Sequence, residues 1–180
     1  MLPILLTSRL RLRPPRLSDL EGIYALGRNP RVMQYITPGS VQSRSEARAD
    51  LQKRMAISQE GPYGYWVIEM RETAAFVGWA TLKPLDQTEE IEVGYRLLEE
   101  YWGQGLATEA ARALLDYGFQ ELGLTTVYGV TMPQNEASRR VLAKLGMRLQ
   151  GLGTFYEVEC TCYRLERTEW QAPKALPKSK

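Results

Sequence analysis

Histidine is absent from the 180 residues, and cysteine is nearly so, occurring only as Cys160 and Cys162. Without histidine there is no Ser-His-Asp triad and no His-based metal site, and the commonest general base is missing. Acid–base chemistry must then rest on Glu, Asp, Tyr, Cys or Lys, or need little help, and no metal is expected. The two cysteines lie two positions apart, so on a strand they share a face and do not bridge. Their spacing fits neither a redox C-x-x-C pair nor a disulfide framework. A reducing cytoplasm is the expected setting. Long apolar runs are also lacking: none approaches the roughly 18 residues needed to span a bilayer. The apolar start, Met1 to Leu6, is too short for the core of a secretion signal. Net charge is small, 23 Lys plus Arg less 21 Asp plus Glu, or +2. That balance gives no ground for a nucleic-acid or membrane partner.

What is present reads as one α/β domain over residues 1–170, followed by a Pro- and Lys-rich tail, 171–180, expected to be disordered. In Ser8 to Arg13, leucines alternate with arginines, which predicts a strand with one wet, arginine-bearing face. Ser18 with Glu21 forms a capping box for a first helix that Asn29-Pro30 breaks, and Val32 to Ile36 reads as a further short turn of helix. A second helix is predicted over Ser45 to Gln59. Three strands follow over Tyr63–Met70, Ala75–Leu82 and Glu90–Leu97 in an antiparallel meander. Leu106 to Leu122 reads as a helix, Thr126 to Met132 as a strand and Glu136 to Leu145 as a helix. Met147–Val158 and Thr161–Glu166 read as two last strands. This order predicts a single mixed sheet covered by helices.

The most informative segment runs from Glu100 to Ala110 and joins a strand to an amphipathic helix through Gly103 and Gly105. The first amides of a helix lack intrahelical partners and carry the positive end of its dipole. Glycines let an anion approach them. The segment therefore suits a diphosphate, although two glycines also serve a plain tight turn. It is not a nucleotide P-loop, because Leu106 and Ala107 follow the last glycine where Lys and Ser/Thr belong. Nor is it a dinucleotide fingerprint, because Thr108 stands where a third glycine should be.

The string YWGQGLATEA, preceded by IEVGYRLLEEY and followed by ARALLDYGFQELGL, resembles the CoA-binding core of GNAT acetyltransferases. More narrowly it is similar to the branch with the ribosomal-protein acetyltransferases RimJ and RimL. TSRLRLRPPRLSDLEGIYAL from Thr7 and PQNEASRRVLAKLGM from Pro133 extend the likeness to about Glu166. The resemblance implies a GNAT fold, a mixed sheet of about seven strands with about four helices. It implies acetyl-CoA as co-substrate, an amine acceptor that is a protein N-terminus or a small molecule, and a monomer or homodimer. It assigns CoA contacts to Val93, Gly94 and Tyr95 on the strand before the loop. In the loop it assigns Trp102, Gly103, Gln104, Gly105, Leu106, Ala107 and Thr108, and beyond it Asn135 and Ser138. The wider family has Gln or Arg where this chain has Trp102, which leaves the phosphate site to backbone amides.

At the acetyl end the resemblance puts Asn135 on the pantetheine arm and Ser138 near the sulfur. Asn135 equally suits a helix N-cap and Ser138 a solvated first turn. Glu92 is the candidate base, acting through water, or else an exposed strand glutamate. Ser138 and Tyr156 are candidate acids, and amides near Val93 and Gly94 are candidates for the thioester carbonyl. Arg139, Arg140 and Lys144 are either 3′-phosphate contacts or a wet helix face. Trp66 and Trp79 are expected in the core, the cysteines as packed strand residues, and Tyr63 and Tyr65 at an acceptor cleft. A CoA-binding module without turnover is the competing class.

Overall fold

In the computed structural model, which describes residues 2–36 and 40–170, these periodicities settle into one eight-stranded sheet with helices on both faces. Across the sheet lie β1 (Leu5–Leu6), β2 (Leu10–Arg13), β3 (Gly64–Met70), β4 (Phe76–Pro84), β5 (Ile91–Leu97) and β6 (Thr126–Thr131). Then come β8 (Val158–Glu166) and, at the edge, β7 (Arg148–Phe155). All neighbours are antiparallel except β5 and β6. The helices are α1 (Leu20–Arg28), α2 (Pro30–Met33), α3 (Arg44–Ile57), α4 (Leu106–Asp116) and α5 (Glu136–Lys144). The element beyond the expected seven strands is the two-residue β1, too short to show a period; the short helical turn expected at Val32 to Ile36 begins two residues earlier, as the one-turn α2. Asn29-Pro30, read as a helix breaker, also starts α2. The Asn29 side chain accepts the Arg31 amide at 2.9 Å, with Pro30 at the first helical position. The tail 171–180 lies outside the described residues. No described helix is long and apolar enough to cross a membrane.

The period-two pattern sorts each strand between two cores. Leu10, Leu12, Trp66, Ala80, Leu82, Val93 and Val127 pack against α4 and α5. On the other face, Tyr65 and Trp79 pack with Leu20, Ile23, Leu26, Ala47 and Leu51 of α1 and α3. Trp66 is fully buried and donates its indole N–H to Pro3 O at 2.9 Å, as expected of a core tryptophan. Tyr63 and Tyr65 divide between the two cores, so they do not line one cleft.

Three local expectations are corrected. The arginine face of β2 is wet only in part. Arg11 is half-exposed, but Arg13 is buried between Asp19 and Glu69. That network also displaces the predicted cap. Ser18 lies inside a 3-10 turn (Leu17–Asp19), and Asp19 accepts the Arg16 amide at 2.7 Å. The last hairpin turns at Tyr156-Glu157 rather than near Cys160, with φ of 52° and 63° at the two turn residues. Two successive left-handed residues make the two-residue turn that matches strand twist. Because neither is glycine, the sequence carries no turn signal there.

Candidate active site

β5 and β6 run parallel yet share a single registered pair, Glu92 with Tyr128, whereas β5 pairs with β4 along its whole length. Beyond Glu92 the two strands part and leave a wedge. Each runs on toward a helix, β5 to α4 and β6 to α5, so both helix starts lie at the carboxyl ends of parallel strands. Open sheets bind ligands at such places. A cavity of about 440 Å³ occupies this corner. Gly103, Gly105, Leu106, Ala107 and Thr108 line it from the loop, Asn135 and Ser138 from α5, and Tyr95 from β5.

The loop's conformation explains its glycines. Gly103 and Gly105 have φ of 72° and 77°, the left-handed region that disfavours a side chain. A Cβ at Gly103 would meet nothing within 4 Å, and one at Gly105 only the Arg9 guanidinium at 3.7 Å. Space above both is open. Gly105 caps α4 without a side-chain bond, and the first intrahelical bond runs from Glu109 N to Gly105 O at 3.0 Å. The amides of Leu106, Ala107 and Thr108 thus have no intrahelical partner, and they begin a helix whose positive end faces the cavity. Uncapped amides beside open space fit a diphosphate.

The loop's side chains brace it. Trp102 lines the cavity and donates its indole N–H to Leu97 O at 2.9 Å, with the Arg31 guanidinium 5.8 Å from its ring centroid. Gln104 does not line the cavity; it donates to Glu100 O at 2.8 Å. Arg9, read from the sequence only as part of a wet strand face, pairs with Glu109 at 2.7 Å and donates to Gln104 O at 3.0 Å. Burial pushes the Glu109 carboxyl up, but bonds from Thr7, Arg9 and Ser8 outweigh it and hold the group below its usual range. A partner 100 residues away leaves no trace in local periodicity.

On α5, Asn135 accepts the Ser138 amide at 3.1 Å while lining the cavity, so the capping and ligand-facing readings are compatible. The Ser138 hydroxyl lies 3.0 Å from Tyr95 Oη, which also donates to Ser138 O at 3.2 Å. Tyr95 thus ties β5 to α5 across the wedge, and burial keeps its hydroxyl protonated. Arg140 and Lys144 line the cavity; Arg139 instead donates to Tyr163 Oη at 3.3 Å.

Val93 points into the α4-side core, and its neighbours Glu92, Gly94 and Arg96 face the α1 and α3 side. Glu92 is 6% exposed, at the closed end of the wedge rather than in the cavity lining. Its carboxylate meets Lys83 Nζ at 2.5 Å and accepts the Tyr156 hydroxyl. Tyr156 is aimed there by reciprocal bonds: the Asp86 amide donates to its hydroxyl at 2.8 Å, and its own amide donates to the Asp86 carboxylate at 2.9 Å. Asp86, like Tyr156, has positive φ, 50°. Strain at both ends of one contact marks an over-determined position. Burial and then Glu92 hold the Tyr156 hydroxyl above its ordinary pKa. Burial lowers the Lys83 pKa, but Glu92 more than offsets this and raises it. Lys83 and Asp86 escaped the sequence reading, because only strand register brings them here. Cys160 and Cys162 are buried on this face as packed residues, with thiols pushed up by burial and thus poor nucleophiles.

Residues 9–148 match the family model described as an acetyltransferase (GNAT) domain. YoaA, an uncharacterized N-acetyltransferase of Bacillus subtilis (strain 168), is 35% identical over 153 residues, 84% of this chain and 86% of that protein. The crystal structure of a GNAT-family acetyltransferase from Bacillus anthracis superposes with a TM-score of 0.81 at 25% identity, covering 93% of this chain and 100% of that one. RimL, a ribosomal L7/L12 α-N-protein acetyltransferase in complex with coenzyme A, superposes with a TM-score of 0.77 over 91% of this chain and 98% of that one. Its 19% identity shows the fold alone, so these comparisons establish the family and not the RimJ/RimL branch. The uncapped helix start, the strand wedge and these matches agree: this chain belongs to the GNAT family and is an acetyltransferase, acetyl-CoA and an amine being the substrates general to that family.

Proposed function

We propose that acetyl-CoA lies along the wedge, with its diphosphate on the amides from Gly103 to Thr108 and its pantetheine arm past Asn135. The acceptor is an α-amine, either of a protein N-terminus, as RimL's name suggests for that enzyme, or of a small molecule. The observation that carries this reading is that one cavity collects the uncapped start of α4, Asn135, Ser138 and Tyr95 where β5 leaves β6. The amides of Val93 and Gly94 face the thioester carbonyl, and Ser138, held by Tyr95, stands beside the sulfur. Glu92 takes the amine's proton through water, while Tyr156 fixes Glu92 and supplies the hydroxyl of that relay. The reaction runs in the cytoplasm.

Proton energetics favour an α-amine. Its pKa of about 8 leaves roughly one-tenth neutral at pH 7, whereas lysine at about 10.4 is far poorer. The departing thiol resembles cysteine, with a pKa near 8.5, and leaves with little acid assistance. A base therefore supplies about tenfold at neutral pH. Glu92→Gln is expected to lower kcat/KM about tenfold at pH 7, with the deficit closing above about pH 9, where the amine is already neutral. Thiol release measured across that range with a panel of amines checks this. A deficit independent of pH removes Glu92 from the base role, and failure of every amine defeats the acceptor assignment.

A further inference from the structure

Two arginines meet one indole on the α1 and α3 side of the sheet. Arg54 of α3 lies 4.1 Å from the Trp79 ring centroid and 4.4 Å from that of Tyr65. Arg96 of β5 lies 5.0 Å from the Trp79 centroid. Arg54 is 8% exposed, and its Nε pairs with Asp50 at 2.9 Å. Among the described residues its Nη1 is buried without an acceptor, and the same is true of Arg96 Nε. Among the described residues, Arg96 Nη1 meets only the Met33 thioether, at 3.3 Å. Burial and then Arg54 push the Arg96 guanidinium down to about 10, which still leaves it charged at neutrality.

This arrangement is unbalanced. Two guanidinium groups share one carboxylate, and two buried N–H donors find no acceptor among the described residues. Leaving charge and donors unpaired inside a protein is costly. Aromatic faces offset part of it but accept no directed hydrogen bond. The missing acceptors are two or more oxygens with a negative charge. The position says which molecule brings them. Arg96 lines the cavity that holds the helix-start amides. It stands two residues beyond Gly94 on the same strand face, about 7 Å along. An arginine side chain covers a spacing of that size, so an acidic group carried by the acceptor amine comes within its reach.

We propose that the acceptor amine carries a carboxylate, and that Arg96, backed by Arg54 against Trp79, receives it. This rests on the wedge being the acetyl-transfer site. It selects among amines: a free amino acid or an acidic N-terminal residue fits, and a polyamine, whose second ammonium would approach two arginines, does not.

The test compares free amino acids, their amides, dipeptides with an acidic first residue, and a linear polyamine, by thiol release with acetyl-CoA. At least tenfold preference in kcat/KM for the carboxylate-bearing form over its amide is expected, the scale of one charge-assisted hydrogen bond. Arg96→Met should abolish that preference and Arg96→Lys retain part of it. Neither should lower the melting temperature, because Met removes an unbalanced charge rather than a structural pair. Preference among free amino acids or among acidic dipeptides supports the proposal and identifies the source of the carboxylate. Equal rates on acid and amide, or an intact preference in Arg96→Met, overturn it. Should every amine be inert, the transferase assignment of the wedge fails separately. Calorimetry with N-acetyl amino acids and their amides in the presence of CoA then decides the anion site. Carboxylate-selective binding lost in Arg96→Met upholds that site, and unselective binding defeats it.

Discussion

Gly105→Val is expected to weaken CoA binding by about two to three orders of magnitude. Gly105 holds φ of 77° as the residue that opens α4. An L-residue in the left-handed region is disfavoured by about 1–2 kcal/mol, and a β-branched one by more. The loop relieves this by rotating, which turns the amides of Leu106 to Thr108 away from the cavity. Each amide-to-anion bond contributes about 1.5–3 kcal/mol, so losing one or two accounts for the predicted range. The damage should stay local, because a Cβ there would meet only the end of a flexible arginine at 3.7 Å. Calorimetry with CoA measures the effect, and Gly61→Ala, in open space, serves as the matched control. A dissociation constant within threefold of the parent would show that the helix start does not bind the diphosphate.

The same loop shows how much of the site is legible in a sequence. Gly103 and Gly105 are readable because a backbone in the left-handed region selects its residue type locally. Asn135 is readable because capping is a matter of three neighbouring residues. The meander over β3, β4 and β5 is readable from alternation. Other parts depend on register between distant strands, which no local window contains. Lys83 reaches Glu92 only because β4 and β5 pair them directly. Arg9 reaches Glu109 only because β2 begins beside α4. Tyr156 arrived as a candidate proton donor, but its placement depends on a turn built from Tyr and Glu at positive φ, where local rules predict continued strand. The arginine pair on Trp79 hides in plain alternation. Arg96 has the spacing of a wet strand residue, and only α3 closing over it leaves it half-buried. Sequence periodicity reports which face a residue takes. It does not report what covers that face.

That distinction decides the outcome at Arg13, which alternation assigns to water and the fold assigns to the interior. Arg13→Met is expected to destabilise the protein by about 3 kcal/mol, the lower end of the range for breaking one partner out of a buried ion network. Arg13 donates to Asp19 at 2.6 and 2.9 Å and to Glu69 at 2.7 Å, and all three residues are buried. Its loss strands two carboxylates, although Arg11 still reaches Glu69 and the Arg16 amide still reaches Asp19. Those remaining partners are why the lower figure is expected. The penalty comes from unpaired charge and not from lost attraction. Removing all three members together, as Arg13→Met with Asp19→Ala and Glu69→Leu, should therefore cost less than the single change. Acid reveals the same network. Burial raises the Glu69 pKa, but bonds from Arg13 and Arg11 outweigh it and hold it below its ordinary 4.5. A folded value below the unfolded one gives stability that is present above about pH 4.5 and lost as pH falls through the folded value. Urea midpoints of the parent should drop below that pH, and those of Arg13→Met should drop less, having already lost the pairing. A single variant as stable as the parent at pH 7, or a triple variant weaker than the single, would place the stabilisation elsewhere than in this charge pairing.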